Sequence, residues 1–219
     1  MDENILFWHK EWYTFGMEHK PFVVGLTGNI ATGKSTILSY LAEKGAHILD
    51  ADKLAHQTMA PDGPAYANIV GAFGTDILNE DQTISRPALG QIVFGAPDAL
   101  QMLEEIVHPA VYTLGQEAIE STDAAVVILE AIKLLDGGQT VNLCDTIWVV
   151  TSELQDQLQR LMTQRGMDED EAHRRMNAQS SQADKVARAD RVIDNSGTLD
   201  ALHAQLDELW SEALTKVRT

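Results

Sequence analysis

A lysine and a serine end a glycine-containing loop whose spacing is typical of phosphate binding. The stretch Gly28–Ser35 fits the pattern G-x-x-x-x-G-K-[ST]. Phosphate needs several hydrogen-bond donors and positive potential, and the backbone N–H groups at a helix N-terminus supply both. We expect Lys34 to reach the outer phosphates as a point charge and the Ser35 hydroxyl to hold Mg²⁺. Gly28 and Gly33 permit backbone angles and close approaches that a Cβ would hinder.

The residues on either side of this phosphate loop predict the elements that hold it. An apolar run over residues 22–26 indicates a buried strand, and apolar residues at helical spacing over 36–44 indicate a helix. Strand, loop and helix in this order is the arrangement that the pattern requires. We therefore expect nine consecutive residues to bind nucleotide phosphates: Gly28, Asn29, Ile30, Ala31, Thr32, Gly33, Lys34, Ser35 and Thr36.

Further strands alternate with helical patterns along the chain. Strands are predicted at 46–49, 124–129, 146–150 and 189–193, whereas residues 65–122 contain only helical patterns and turns. This alternation indicates an α/β fold with a five-stranded parallel sheet that is covered by helices on both faces. Ligands of such sheets bind at the carboxyl ends of the strands, so the site is expected at that edge.

Three acids follow predicted strands at this edge. Asp50 and Asp52 follow the second strand, and Glu130 ends the third. One Asp can accept or position the proton of an attacking hydroxyl, but Asp is also favoured as a helix cap, so the pair leaves the two roles open. Glu130 could act on Mg²⁺ through water, or it could be a solvated acid or a partner of Lys133.

Arginine is concentrated in one region of the chain. Six of the eight arginines lie between positions 160 and 191, and the planar guanidinium suits bidentate contact with phosphate. The helical patterns at 153–188 therefore predict a lid over the nucleotide, with Arg160 and Arg165 as the best candidates. A solvated helix face is the alternative, because eight acids occupy positions 153–190.

Composition narrows the class of protein. The formal net charge of -17 opposes binding to nucleic acid or to an anionic membrane, yet it allows a small phosphorylated ligand. The single cysteine, Cys144, excludes an internal disulfide, and its apolar surroundings favour a buried structural thiol. The sequence has no apolar run of membrane-spanning length and no signal-peptide pattern, so a cytoplasmic protein is expected.

The first 20 residues precede the predicted domain and carry five aromatic residues. Trp8, Trp12 and Phe15 follow helical spacing, which favours a short helix packed on the domain. A contact with a partner or a second copy is the alternative, and Met17 could also be the true start. We expect a monomer or a weak homo-oligomer.

An ordered set of motifs resembles bacterial dephospho-coenzyme A kinases, a family of P-loop kinases, from about Phe22 to Trp210. Beside the phosphate loop, the matching motifs are Gly-Leu-Thr-Gly at 25–28, Asp-Ala-Asp at 50–52, Arg-x-x-Leu-x-x-x-Val-Phe at 86–94, Ile-Val-His-Pro at 106–109, Gln-Leu-x-Arg at 157–160 and Ala-Asp-x-x-Ile-x-Asn at 189–195. The phosphate loop alone identifies only a superfamily, whereas this ordered set is far more specific.

The resemblance implies that the γ-phosphoryl group of ATP, bound with Mg²⁺, is transferred to the ribose 3′-hydroxyl of dephospho-coenzyme A. It implies that Asp52 is the catalytic base, assisted by Lys34 and Arg160. The helical insert at 53–122 would bind the acceptor, and Arg86 and His108 are its candidate contacts, although by residue type alone they could be ordinary surface or core residues. The segment 153–188 would be the lid. The core would comprise residues 21–52, 123–152 and 189–219, after an N-terminal extension of residues 1–20.

The chain departs from the family pattern at two places. Asn29 and Ala31 stand where the family usually has glycine. Asn tolerates a positive φ better than most residues and Ala adds one methyl group, so we expect phosphate binding to survive. Residues 131–136 read Ala-Ile-Lys-Leu-Leu-Asp in place of the usual Pro-Leu-Leu-Phe-Glu, and Lys133 could replace a lost substrate contact.

Three other functions are possible for a chain with this phosphate loop. The main rival is another nucleotide or small-metabolite kinase of the same fold, because the insert sets the acceptor. A GTPase would need an Asn-Lys-x-Asp motif, which the chain lacks. A non-catalytic ATP-binding regulator is disfavoured because Asp52, Lys34 and the lid arginines are all present.

Overall fold

The computed structural model describes residues 20–217, so the expectations about residues 1–19 lie outside the described part of the chain. Within it, five strands form one sheet in the order β2-β3-β1-β4-β5, and all four neighbouring pairs are parallel. The strands are β1 (Phe22–Gly28), β2 (His47–Asp50), β3 (Val126–Glu130), β4 (Thr146–Thr151) and β5 (Arg191–Asp194). The predicted parallel sheet is confirmed, and each strand ends one or two residues later than the apolar runs indicated.

Residues 20–217 also contain nine α-helices and two short 3₁₀ turns. The helices are α1 (Lys34–Glu43), α2 (Ala51–Thr58), α3 (Tyr66–Phe73), α4 (Arg86–Val93), α5 (Pro97–Glu120), α6 (Leu154–Arg165), α7 (Glu169–Asn177), α8 (Gln182–Val186) and α9 (Leu199–Val217), with 3₁₀ turns at Thr75–Ile77 and Thr140–Leu143. No helix in this range is long and apolar enough to cross a membrane.

Both faces of the sheet are buried, as expected for parallel strands. Alternate residues of β1 point to opposite faces, so Val24 packs with side chains of α1 and α9 on one face. Val23 packs on the other face with Ile119 of α5 and with Leu134, which follows β3. This burial fixes the sheet as a rigid base whose carboxyl edge carries the loops.

The helical segment between β2 and β3 has an apolar core of its own, which includes Leu54, Ile69, Leu89 and Val107. Helical spacing in the sequence predicts one apolar stripe of Leu89, Ile92, Val93 and Phe94 on α4, and this prediction is partly wrong. Ile92 is 40% exposed and Phe94 is 83% exposed. Phe94 has φ −73° and ψ 114°, so the helix has already ended there and helical spacing no longer places its side chain against the core.

One continuous helix runs through His108 and Pro109. Pro109 lies inside α5, which runs for 24 residues. A proline in a helix removes one backbone hydrogen bond, since it has no N–H group. The Thr113 hydroxyl donates to the Pro109 carbonyl at 3.1 Å.

Cys144 packs beside Gly25 of β1, and a Cβ added to Gly25 would lie 2.8 Å from the Cys144 Sγ. Burial, reinforced by the neighbouring Asp145 carboxylate, raises the pKa of the thiol to about 12. This agrees with a structural thiol rather than a reactive one, because the thiolate is the nucleophile.

The raised pKa predicts slow alkylation of Cys144. At about pH 8 the thiolate fraction of the native protein should be roughly a thousandfold below that of an unperturbed cysteine. Iodoacetamide labelling, followed by mass spectrometry, should therefore be slower by about that factor in native buffer than in urea. The chain has one cysteine, so a single rate is measured. Similar rates in the two conditions would contradict the buried environment.

Candidate active site

The phosphate loop ends at Gly33, which precedes α1 with φ +95°. A Cβ at this position would collide with the side-chain amide of Asn195, and that amide donates to the Thr32 carbonyl at 2.8 Å. Glycine is therefore required here by both its backbone angle and its neighbour. Over residues 20–217, no hydrogen-bond partner is found for the N–H groups of Gly33, Lys34 and Ser35. Unpaired donors at a helix N-terminus form an anion site.

The ammonium group of Lys34 lies against the phosphate loop and donates to two of its carbonyl groups. Its Nζ donates to the Gly28 carbonyl at 2.8 Å and to the Asn29 carbonyl at 3.3 Å, and it lies 3.8 Å from Glu130 Oε1. Burial lowers the pKa of Lys34, and burial raises the pKa of Glu130. For each group, the effect of removing its charged form from water is therefore larger than the effect of attraction to the oppositely charged partner. The sequence-based alternative that Glu130 contacts Lys133 is not what is observed, because Glu130 contacts Lys34 and Lys133 is exposed.

The two acids after β2 have different environments. Asp50 is the N-cap of α2, since its Oδ1 accepts from the Lys53 N–H at 3.0 Å. Asp52 lies in the first turn of α2, is exposed, and has no hydrogen bond to another residue in 20–217. The question that the sequence left open is thus resolved for Asp50, and Asp52 keeps a free carboxylate.

Sheet register brings Asp52 close to the phosphate loop. β2 pairs with β3 so that Asp50 lies opposite Glu130, and β3 pairs with β1 so that Glu130 lies opposite Leu26. The negative charge of Asp52 adds to the effect of burial in raising the pKa of Glu130. Three ionisable groups from three strand ends, Lys34, Asp52 and Glu130, therefore share one edge of the sheet.

Arg160 is the arginine of segment 153–188 that contacts the phosphate loop. Its guanidinium donates to the Ala31 carbonyl at 3.0 Å and to the Asn195 carbonyl at 3.2 Å. Arg165 is exposed at the end of α6, and its charge contributes, after burial, to the lowered pKa of Lys34. Within the same segment, Arg175 pairs with Glu171 and Arg188 donates to the Leu135 carbonyl, and Arg191, at the start of β5, pairs with Glu212.

A cavity of about 370 Å³ borders Arg160. It lies between α6 and the turn after β5, and its lining residues are Asp156, Gln159, Arg160, Thr163, Gln164, Ser196 and Gly197. Arg160 therefore both lines the cavity and contacts the phosphate loop.

The two candidate acceptor residues lie in the helical segment between β2 and β3. His108 is half-buried on α5, and a Cβ added to Gly138 would lie 3.4 Å from its Nδ1, so His108 faces the loop after β3. Arg86 is exposed at the first residue of α4 and has no hydrogen bond or ion pair with another residue in 20–217.

Two residues that sequence reasoning missed hold the loops of this edge. Gln179 accepts the Ile30 N–H through its Oε1 at 2.8 Å. Lys185 has a side chain only 2% exposed, and its Nζ donates to the Ile132 carbonyl at 3.1 Å, 3.9 Å from an Asp136 oxygen. No local pattern could have indicated either residue, because their partners lie 149 and 53 positions away in the chain.

Comparisons with known proteins agree with this arrangement. The family model for dephospho-CoA kinases matches residues 22–201. A dephospho-CoA kinase of Geobacter metallireducens is 43% identical over 197 residues, which are 89% of this chain and 98% of that protein. The chain belongs to the dephospho-CoA kinase family. A further dephospho-CoA kinase, from Syntrophus aciditrophicus, is 41% identical over 89% of this chain and 84% of its own length.

Solved structures confirm the P-loop kinase fold. A Thermus thermophilus protein superimposes with a TM-score of 0.76 at 30% identity, covering 88% of this chain and 97% of its own. The dephospho-CoA kinase of Campylobacter jejuni has a TM-score of 0.64 at 25% identity, covering 89% and 98%. A shikimate kinase from Acinetobacter baumannii, at 14% identity and a TM-score of 0.50, shares the fold alone.

Against the dephospho-CoA kinase pattern, the two altered loop positions behave differently from the expectation. Of the two, only Ala31 has a positive φ, of 61°. Asn29 does not adopt a positive φ, although Asn tolerates such angles. Asn29 is instead 8% exposed, and its amide donates to the Ser180 carbonyl at 3.2 Å. The backbone strain therefore lies at the alanine.

Relief of this strain predicts that Ala31→Gly stabilises the protein slightly. The left-handed conformation costs a non-glycine residue about 1–2 kcal/mol. The extra freedom of glycine in the unfolded chain offsets roughly 0.4–1 kcal/mol of this. We expect a gain of up to about 1 kcal/mol in the free energy of unfolding, measured by urea titration.

A matched control exists in an exposed turn of the helical segment. Gln82 has φ +66°, so Gln82→Gly should give a similar gain without changing nucleotide affinity. A loss of stability in Ala31→Gly, with a gain in Gln82→Gly, would contradict strain at Ala31.

Proposed function

We propose that this protein transfers the γ-phosphoryl group of ATP to the ribose 3′-hydroxyl of dephospho-coenzyme A, giving coenzyme A and ADP. The observation that carries the proposal is the free Asp52 carboxylate on the same strand edge as the unpaired N–H groups of the phosphate loop. Membership of the dephospho-CoA kinase family supports the acceptor. Its relatives match it over most of their length.

In the proposed reaction the phosphate loop and Lys34 bind the phosphates of ATP. The N–H groups of Gly33 to Ser35 donate to phosphate oxygens, and the Lys34 ammonium exchanges its two carbonyl partners for stronger anionic ones. Asp52 accepts the proton of the 3′-hydroxyl as that oxygen bonds to the γ-phosphorus. The bond from the γ-phosphorus to the bridging oxygen breaks, and ADP leaves.

The donor set also fits a divalent cation bound with the nucleotide. Among residues 20–217 no cluster of three or more His, Cys, Asp and Glu side chains could hold a metal alone. Mg²⁺ commonly takes few protein oxygens and completes its shell with phosphate and water. The exposed Ser35 hydroxyl, with Glu130 acting through water, would hold it. Mg²⁺ would neutralise charge on the β- and γ-phosphates.

We infer roles for the two helical segments as well. Segment 153–188 is proposed as the lid, with Arg160 and Arg165 on the phosphates and the cavity beside Arg160 receiving the nucleoside. Segment 53–122 is proposed as the acceptor-binding insert, with Arg86 and His108 as contacts. His108 is supported by its position against the loop after β3, and Arg86 by its exposed, unpaired guanidinium in the described structure.

Acceptor specificity is the direct test of this function. Purified protein with ATP and MgCl₂ should release ADP with dephospho-coenzyme A, at a kcat of about 1–100 s⁻¹. A panel of nucleoside monophosphates and shikimate should give at least about a hundredfold lower kcat/KM. Turnover of a panel member without turnover of dephospho-coenzyme A would assign the chain to another kinase of this fold.

The role of Asp52 predicts a large effect of Asp52→Asn on chemistry. Loss of the base should lower kcat by about 10²–10⁴-fold while the KM for ATP changes little. Steady-state kinetics with dephospho-coenzyme A measures both constants.

Asp50→Asn is the matched control for Asp52→Asn, because Asn caps helices about as well as Asp and the substitution removes one carboxylate from the same turn. It should retain most of the wild-type kcat. Equal kcat losses in the two variants would argue against a specific base at Asp52.

A further inference from the structure

Three consecutive residues of the phosphate loop, Asn29 to Ala31, are joined to segment 153–188 rather than left open to a ligand. The Asn29 amide donates to the Ser180 carbonyl at 3.2 Å. The Ile30 N–H donates to Gln179 Oε1 at 2.8 Å, and the Ala31 carbonyl accepts from Arg160 at 3.0 Å. Polar groups of the first half of the loop are thus bonded to the segment proposed as the lid.

An apolar contact reinforces these polar ones. The Ile30 side chain is 8% exposed and packs in a small cluster with Leu161 of α6 and Ala172 of α7, both fully buried. Met167 and Met176 line the same cluster. The side chain of one loop residue therefore packs against two helices of segment 153–188.

The contacts that join Asn29–Ala31 to segment 153–188 lie directly beside the unpaired N–H groups of the anion site. Two residues separate Ala31 from Lys34, and no hydrogen-bond partner is found in residues 20–217 for the N–H groups of Gly33 to Ser35. A shift of the loop as it closes around phosphate must therefore move, or be resisted by, the contacts at Asn29 and Ile30. Two buried oxygen atoms at these contacts, Asn29 Oδ1 and Ser180 Oγ, have no hydrogen-bond partner among the described residues. Buried polar atoms without a partner make a contact less stable.

We propose that Gln179 and Asn29 couple the phosphate loop to segment 153–188, so that Gln179 is a positioning residue for ATP binding. This inference rests on the proposed function. Gln179 touches no phosphate in it and acts through the Ile30 backbone, which it holds in the geometry that the donors at Gly33 to Ser35 require. Asn29 adds a second tie at a position where the family usually has glycine.

The test uses Gln179→Met, which keeps the length of the side chain and removes its strong acceptor. Direct titration with ATP and MgCl₂, without acceptor, should show about a fivefold weaker Kd, the size expected for one net hydrogen bond. Gln179→Glu retains an acceptor for the Ile30 N–H and should bind ATP within about twofold of wild type. Gln155→Met is the control, since Gln155 is exposed on α6 and has no partner in the described structure.

Limited trypsin digestion reports the coupling itself. Arg165 and Arg174 are exposed cleavage sites in segment 153–188. ATP should slow cleavage there in wild type and in Gln179→Glu, and it should protect Gln179→Met less at saturating nucleotide. Unchanged ATP affinity and protection in Gln179→Met, even with a lower Tm, would overturn the proposal and leave a purely structural contact. Failure of the wild-type protein to bind ATP would instead overturn the proposed function.

Discussion

The site depends on one constraint, which is that the backbone N–H groups of Gly33, Lys34 and Ser35 stay unpaired while the backbone around them stays fixed. Unpaired donors are ordinarily unfavourable unless water or a ligand satisfies them, so the surrounding contacts must hold the loop open. Asn195 donates to the Thr32 carbonyl, and Lys34 donates back to the carbonyl where β1 ends. Bonds to the loop carbonyls thus leave the donors to the ligand, and the buried sheet supplies the rigid base.

The parallel sheet and the phosphate loop were predictable because their signals are local. Continuous apolar runs identify buried parallel strands, and a fixed spacing identifies a loop whose glycines have a steric reason. Gly33 shows that reason directly, since its φ and the nearby Asn195 amide both exclude a side chain. The cap of α7 is a local contact of the same kind, because Asp168 accepts from the Glu171 N–H within one helical turn.

Other parts of the site depend on contacts that no local pattern contains. By residue type, Asp50 and Asp52 are both suited to capping and to catalysis. Because α2 starts at Ala51, Asp50 is its N-cap and Asp52 lies in its first turn. Asn29 was expected to be suited to a positive φ. Its side-chain amide instead donates a hydrogen bond to the carbonyl of Ser180, which is 151 positions away in the sequence. The burial of Lys185 likewise follows from where segment 153–188 folds over the loop after β3.

Electrostatics explains how a strongly acidic chain can offer a site to a polyanion. Charges at the surface are screened beyond about 8 Å at physiological salt, so the net charge of -17 acts weakly over distance, whereas the half-buried Lys34 lies directly at the loop. The site is nevertheless mixed, because Glu130 is buried with Lys34 and its pKa is raised. A raised pKa means that the folded state binds more protons than the unfolded chain, so this group lowers stability as pH rises through that pKa. A charged Glu130 is therefore costly in the free protein. Under the proposed function, a divalent cation arriving with ATP would offset that cost while the phosphates would attract Lys34, so both members of the pair would gain partners on nucleotide binding.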